Sequence, residues 1–304
     1  MILEKSMISG IFGKKIIDKK IIKIMKIFVL GKSGMLGRYV FTYFQERDYE
    51  VVGIGRNELD VASCDENIIK DVFSKLSYKK GDVVINCAGT IKPRVDELGS
   101  LNAIKVNAVF PYLLANVSQS LGIKCIHPTT DCVFSGSDGE YDEDSAHDVT
   151  DVYGRSKSLG EPTNCTVIRT SIIGEEVNDG RSLVEWIKSR KNQDANGFLN
   201  HKWNGITCLQ FAKVCEEIIK NNLWWDGVKH IHSPDTVNKL ELLSYVSEVY
   251  DLNIEIVPTE TPNKCDRSLS SIYDINIDIP YLKDQIIEMK EFNNQLRQIV
   301  SETA

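Results

Sequence analysis

Gly31-Lys32-Ser33-Gly34-Met35-Leu36-Gly37 follows the apolar run Ile27-Phe28-Val29-Leu30, and this junction decides the fold. A Gly-Lys-Ser triplet invites a nucleoside-triphosphatase loop, but that motif also needs a glycine at position 26, where Lys26 stands. What remains is Gly-x-x-Gly-x-x-Gly between a buried strand and an emerging helix, the place where a dinucleotide pyrophosphate meets helix N–H groups. Gly31 is expected to make the tight turn, Gly34 to let the backbone approach the phosphates, and Gly37 to let the helix pack on the strand. Lys32, Ser33, Met35 and Leu36 complete the candidate cofactor loop.

Outward from this loop, β-rich apolar runs alternate with helical patterns, the rhythm of a parallel sheet in an α/β protein. Strands are expected over 27–30, 50–54, 83–86, 124–127 and 166–170, and helices over 35–47, 66–76, 103–120, after Tyr153, and over 207–221. Another strand is expected at 228–232. The predicted architecture is a doubly wound, Rossmann-type parallel sheet over 25–173, with 207–233 returning to it. A smaller interleaved substrate-binding lobe is expected over 174–206 and 234–304. Residues 1–24 alternate lysines with isoleucines and read as an extension before a natural start at Met25.

A chain of 304 residues, 42% of them apolar, can bury a full core. Its formal net charge of −7 argues against a nucleic-acid partner, which would call for clustered Lys and Arg. The eight cysteines stand singly, with no Cys-x-x-Cys pair or zinc spacing, as reduced thiols of a reducing compartment do. No apolar run reaches the length of about eighteen residues that a membrane span needs. A cytoplasmic protein without metal is therefore expected, with a small phosphate-bearing ligand and a second copy of the chain as its partners.

At the end of the second strand, Gly53-Ile54-Gly55-Arg56-Asn57 offers Arg56 where an acidic residue would accept from an adenosine ribose. Arginine there favours a 2′-phosphate, and Lys32 adds a second positive charge, so NADP(H) is the expected cofactor. Asn86-Cys87-Ala88-Gly89 ends the fourth strand in small residues, allowing close approach by the nicotinamide half at Cys87, Ala88 and Gly89.

Tyr153-Gly154-Arg155-Ser156-Lys157 opens a helix with tyrosine and lysine at i and i+4, on one face. A phenol of reference pKa about 10 is a poor acid–base group at neutral pH, and an ammonium within about 4–6 Å can lower it. Tyr153 is then a candidate proton carrier and Lys157 its tuning group and ribose contact. Pro128-Thr129-Thr130-Asp131-Cys132-Val133-Phe134 leaves the fifth strand at its carboxyl end, where ligands lie in open α/β sheets. Thr130 can hydrogen-bond a substrate carbonyl there and Asp131 a neighbouring hydroxyl.

Together these segments resemble the extended short-chain dehydrogenases of the dTDP-4-dehydrorhamnose reductase type. The resemblance rests on GKSGMLG, LDV at Leu59–Val61, NCAG, VNA at Val106–Ala108, TDCVFSG, YGRSKSLGE and IRTSIIG, and continues more weakly in KWNGIT and CDRSL. It implies hydride transfer from NADPH to the C4 ketone of a nucleotide-linked 4-keto-6-deoxyhexose, with Tyr153, Lys157 and Thr130 as the catalytic set. It also implies that Asp60 and Val61 border the adenine, that Asn107 belongs to the cofactor site, and that Trp203, Asn204 and Arg267 meet the substrate nucleotide. Cys132 stands where many members of the family have tyrosine.

Two other functions stay open on sequence. A sugar-nucleotide epimerase or dehydratase would retain NAD, against which Arg56 and the lack of an acidic group at that strand end both count. A non-catalytic NADP-binding subunit, like the regulatory subunit of methionine adenosyltransferase, keeps the same fold. His230 and His232 alternate on a strand and are expected to be packed or capped, and Trp224-Trp225 to be packing residues.

Overall fold

The structure is a computed structural model that describes residues 25–176, 180 and 182–303; the 1–24 extension lies outside the described residues. The chain opens with β1 (Lys26–Leu30), α1 (Met35–Gln45), β2 (Glu50–Ile54), α2 (Glu66–Lys75) and β3 (Val83–Asn86). Then come α3 (Lys92–Leu98), α4 (Ser100–Ile104), a π turn (Lys105–Val109), α5 (Phe110–Leu121), β4 (Lys124–Thr129), a 3₁₀ turn (Asp131–Val133), α6 (Val152–Ser158) and β5 (Thr166–Arg169). Further on lie β6 (Ile172–Ile173), α7 (Leu183–Lys188), β7 (Asp194–Phe198), β8 (His201–Trp203), β9 (Ile206–Thr207), α8 (Cys208–Lys220) and β10 (Gly227–His230). The last elements are β11 (Val237–Asn238), α9 (Lys239–Tyr250), β12 (Glu255–Thr259), β13 (Cys265–Asp266) and α10 (Leu282–Thr303).

Six strands form one parallel sheet in the order β2-β1-β3-β4-β5-β10. The alternation of β1 explains why both faces must be covered. Ile27 and Val29 enter one core with Tyr39, Val40, Phe44 and Phe211, while Phe28 and Leu30 enter the other with Ile69, Phe73, Phe110 and Leu114. Each such side chain, fully withdrawn from water, contributes roughly 1.5–3 kcal/mol. Because the chain crosses from β2 back over β1 to β3, the loops after β1 and β3 diverge at a topological switch point, where open α/β sheets bind ligands.

The expected order holds with two corrections. Asn86 ends the third strand and Thr129 the fourth, one fewer in each case than the sequence suggests, since 59–82 forms only a turn and α2. The expected 103–120 helix is broken into α4, the π turn and α5. Pro111, in the first turn of α5, has no N–H to return to the carbonyl of Asn107, which removes one helical bond where the ladder widens.

Among the described residues three small sheets, β12-β7, β11-β8-β13 and β6-β9, accompany the main one. Trp203 and Val237 of these strands, with Leu242 of α9 and Leu282 and Met289 of α10, share its first core, in the same cluster as Ile27. Among the described residues no helix is long and apolar enough to cross a membrane.

Candidate active site

The glycine loop has the geometry its spacing suggests. Gly31 takes a left-handed φ of 73° and donates to the carbonyl of Ile54 at 2.8 Å, while Gly34 donates back to the carbonyl of Gly31 at 3.0 Å. A side chain at Gly31 would meet the Ala88 backbone nitrogen at 2.9 Å, and one at Gly37 would collide with the Gly31 carbonyl. Gly34 is the N-cap of α1, no side chain caps that end, and a Cβ there would meet only the Gly31 carbonyl, at 3.4 Å. Free helix N–H groups over open space fit the anionic pyrophosphate of a dinucleotide. Cys87 and Ala88 form the opposite wall, tied by Cys87 N–H to the Leu30 carbonyl (3.0 Å) and Ala88 N–H to Asn86 Oδ1 (3.1 Å).

At the end of β2, Arg56 is exposed, and Lys32 folds its stem over Gly53, with Nζ donating to that residue's carbonyl at 3.3 Å. The expectation that this end lacks an acidic group is corrected: Glu58 Oε2 accepts the Gly55 N–H at 2.7 Å. That bond and its own backbone N–H hold the Glu58 carboxyl below the usual carboxylate range, with Lys32 adding a smaller pull. Asp60 is spent on a local turn, accepting from Ala62 N–H (3.1 Å) and Ser63 Oγ (3.0 Å), and Val61 packs against the core.

Asp151 caps α6 by accepting the Gly154 N–H at 2.9 Å, which sets Tyr153 and Lys157 on one face of that helix. Asn107, in the π turn, accepts the Thr90 N–H (2.8 Å) and donates to the Thr90 carbonyl (2.9 Å) and to Ser156 Oγ (3.2 Å). It thus clamps the loop after β3 to the middle of α6. A Cβ on Gly89 would lie 3.2 Å from Lys157 Nζ and 3.6 Å from Asn107 Oδ1, so the ammonium stands against the Gly89 backbone. Burial pushes Lys157 down to about 8, against the opposing pull of Glu161.

The expected tuning of Tyr153 by Lys157 is also corrected. Burial raises the Tyr153 phenol above its ordinary value, Cys132 and Asp131 raise it further, and the neighbour that favours the phenolate is the Thr130 hydroxyl. At neutral pH the phenol therefore keeps its proton. Thr130 accepts the Cys132 N–H at 3.1 Å and donates to Asp131 Oδ1 at 3.2 Å. Burial raises the Asp131 carboxyl, an effect that Arg267, bonds from Cys132 and Thr130, and Lys239 offset in part. Burial and Asp131 push the Cys132 thiol up to about 12, so it stays neutral.

Three residues named for the substrate nucleotide separate. Arg267 clasps the turn after β4, with Nε donating to the Phe134 carbonyl (3.0 Å) and Nη2 to that of Ser135 (3.3 Å), and it stands near Asp131 and Cys132. Trp203 is 5% exposed and mostly core. Asn204 is engaged by the chain itself: its amide donates to the Leu269 carbonyl (2.7 Å) and accepts the Leu269 N–H (2.8 Å), so it acts as a strut.

Behind the site lies a buried network that sequence reasoning missed. Arg169, on β5, meets Glu161, His147 Nε2 (2.8 Å) and His230 Nε2 (2.8 Å). His230 Nδ1 donates in turn to the Ser270 carbonyl (2.7 Å), which makes it a packed histidine of a strand, as expected. His232 is held by the Ser233 carbonyl (2.8 Å), and the indole of Trp225 donates to the Val167 carbonyl (3.3 Å), a packing role. Lys239, beside Asp131 and Cys132, was also missed.

Comparison with known proteins bears on the family and the fold. Over 258 residues the chain is 26% identical to the spore coat polysaccharide biosynthesis protein SpsK of Bacillus subtilis (strain 168), covering 81% of this chain and 88% of that one. Over 257 residues it is 25% identical to methionine adenosyltransferase 2 subunit beta of Danio rerio, covering 78% of each. In fold it matches a dTDP-4-dehydrorhamnose reductase of Bacillus anthracis str. Ames, solved in complex with NADP, with TM-score 0.72, 18% identity, and coverage of 88% of this chain and 97% of that one. The family of the RmlD substrate binding domain matches residues 25–304, and the chain belongs to it, with the extended short-chain dehydrogenase fold of the dTDP-4-dehydrorhamnose reductase type.

Proposed function

We propose that this protein is an NADPH-dependent reductase of the C4 ketone of a 4-keto-6-deoxyhexose carried on dTDP or UDP. One observation carries the proposal: Thr130, at the carboxyl end of β4, is the hydrogen-bonding neighbour of Tyr153, and Lys157, one turn further along α6, stands against Gly89 in the loop after β3. The glycine cradle fits a dinucleotide, and Lys32 and Arg56 at the end of β2 suit a 2′-phosphate.

NADPH, when bound, supplies the hydride. Tyr153, half-buried and holding its proton, gives that proton to the oxygen of the ketone as it becomes an alcohol. Thr130 Oγ1, turning its one proton from Asp131 to the substrate, donates to the same oxygen as negative charge develops. Lys157 reaches the nicotinamide ribose from the Gly89 wall, and Asn107 holds that wall to α6. The chain then divides by role: 25–173 with 207–233 holds the cofactor, while 174–206 and 234–304 hold the sugar nucleotide.

The test mixes purified protein and NADPH with freshly generated 4-keto-6-deoxyhexoses on dTDP and on UDP, with and without a 2-acetamido group. Loss of NADPH absorbance and identification of the product are followed together. Oxidation with one sugar is the expected result and names the substrate. A second reading, a regulatory subunit, is favoured by the likeness to methionine adenosyltransferase 2 subunit beta. NADPH binding without turnover of any sugar would support it.

A further inference from the structure

The three strands of the small sheet β11-β8-β13 each deliver one residue to the same place. Trp203 ends β8, Lys239 directly follows β11, and Arg267 directly follows β13. The Lys239 ammonium lies over the Trp203 ring, 5.5 Å from its centroid, and no described residue stands within hydrogen-bond distance of it. Its backbone is fixed by a capping box, in which Asn238 Oδ1 accepts the Glu241 N–H (2.9 Å) and Glu241 accepts the Asn238 N–H (2.8 Å). Arg267 is aimed by its two bonds to the Phe134 and Ser135 carbonyls.

Both cations exert a charge–charge pull on one buried carboxylate, Asp131, which is 3% exposed and already accepts from Thr130. Burial pulls the Lys239 ammonium below its ordinary value, and the nearby Asp131, Cys132 and Cys265 oppose that pull only in part. A partly buried ammonium with no hydrogen-bond acceptor is costly unless an anion joins it. The proposed ketone sits at Thr130 and Tyr153, and the anion closest to the ring of a sugar nucleotide is its diphosphate. We propose that Lys239 and Arg267 form the subsite that holds this diphosphate. The inference rests on the sugar-nucleotide reading above and adds to it Lys239, a residue no motif marks.

Binding of UDP and dTDP, with UMP and dTMP as references, is measured by calorimetry on the NADPH-loaded protein. Lys239→Met keeps the apolar stem over Trp203, and it should weaken both diphosphates by roughly ten- to a hundredfold, the monophosphates less, and NADPH not at all. Lys239→Arg should restore most of the loss. Lys239→Gln, a second removal of charge, should match the methionine variant. Diphosphate affinities unchanged in both neutral variants, with ketone reduction by the parent intact, would overturn this subsite alone. A parent chain that binds neither UDP nor dTDP and reduces no ketosugar would overturn the sugar-nucleotide reading and the subsite with it.

Discussion

Glu161 grips Arg169 through a fork, Oε1 accepting from Nε at 3.0 Å and Oε2 from Nη2 at 2.7 Å, with both side chains under a tenth exposed. Removing one partner of such a buried pair typically costs about 3–5 kcal/mol, because the other charge is left behind. Glu161 also opposes the burial that lowers Lys157 to about 8. In Glu161→Gln the Lys157 pKa should fall further, so the ammonium is lost at lower pH. If turnover needs the protonated lysine, the alkaline limb of the pH–rate profile moves to lower pH. A variant that melts earlier but keeps its alkaline limb would show a structural role only.

Tyr153→Phe removes the hydroxyl and little else from a half-buried ring. NADPH affinity should stay within about twofold, a change of under half a kcal/mol. Turnover should fall by about a hundredfold or more, the usual contribution of a positioned acid. Undiminished turnover would remove the phenol from the reaction and leave Thr130 as the group facing the ketone oxygen.

In the function proposed above, cofactor choice balances Arg56 and Lys32 against the Glu58 carboxylate, all near the end of β2. Arg56→Ala should weaken NADPH more than NADH. Glu58→Gln keeps an acceptor for the Gly55 N–H but removes a charge that repels a 2′-phosphate, so it should strengthen NADPH relative to NADH. Fluorescence titration with both cofactors reads the two ratios. Equal effects on both cofactors would mean that this strand end does not read the 2′-position.

The sheet was legible because β1 alternates its side chains into two cores and because glycine spacing at a strand end admits few geometries. The clustering of Thr130, Tyr153 and Lys157 was legible through motif order along a parallel sheet. Glu58 escaped notice since its carboxylate arrives by a turn, three residues beyond Gly55, rather than on the strand. Lys239 and the Arg169 network escaped because their neighbours come from distant parts of the chain, His230 through the pairing of β10 with β5 and Asp131 from the end of β4, with no local periodicity. The phenol of Tyr153 was misjudged for a related reason: burial, a property of the whole fold, raises it, and an i, i+4 spacing carries no information about burial.

Asn107 is 1% exposed and satisfies both backbone groups of Thr90 while reaching Ser156, so it couples the loop after β3, the π turn and α6. Asn107→Ala leaves a buried N–H and a buried C=O to find other partners, and it should cost about 2–3 kcal/mol in denaturant unfolding. The same change frees the Gly89 wall, against which Lys157 Nζ stands, so NADPH affinity should fall as well. Asn107→Asp separates the two effects: it can still accept from the Thr90 N–H but sets an anion against the Thr90 carbonyl. It should therefore be at least as destabilising as alanine at neutral pH and recover on acidification, as the carboxyl takes a proton and can donate again. A stability change within about 0.5 kcal/mol for both variants would show that the clamp does not hold this wall in place.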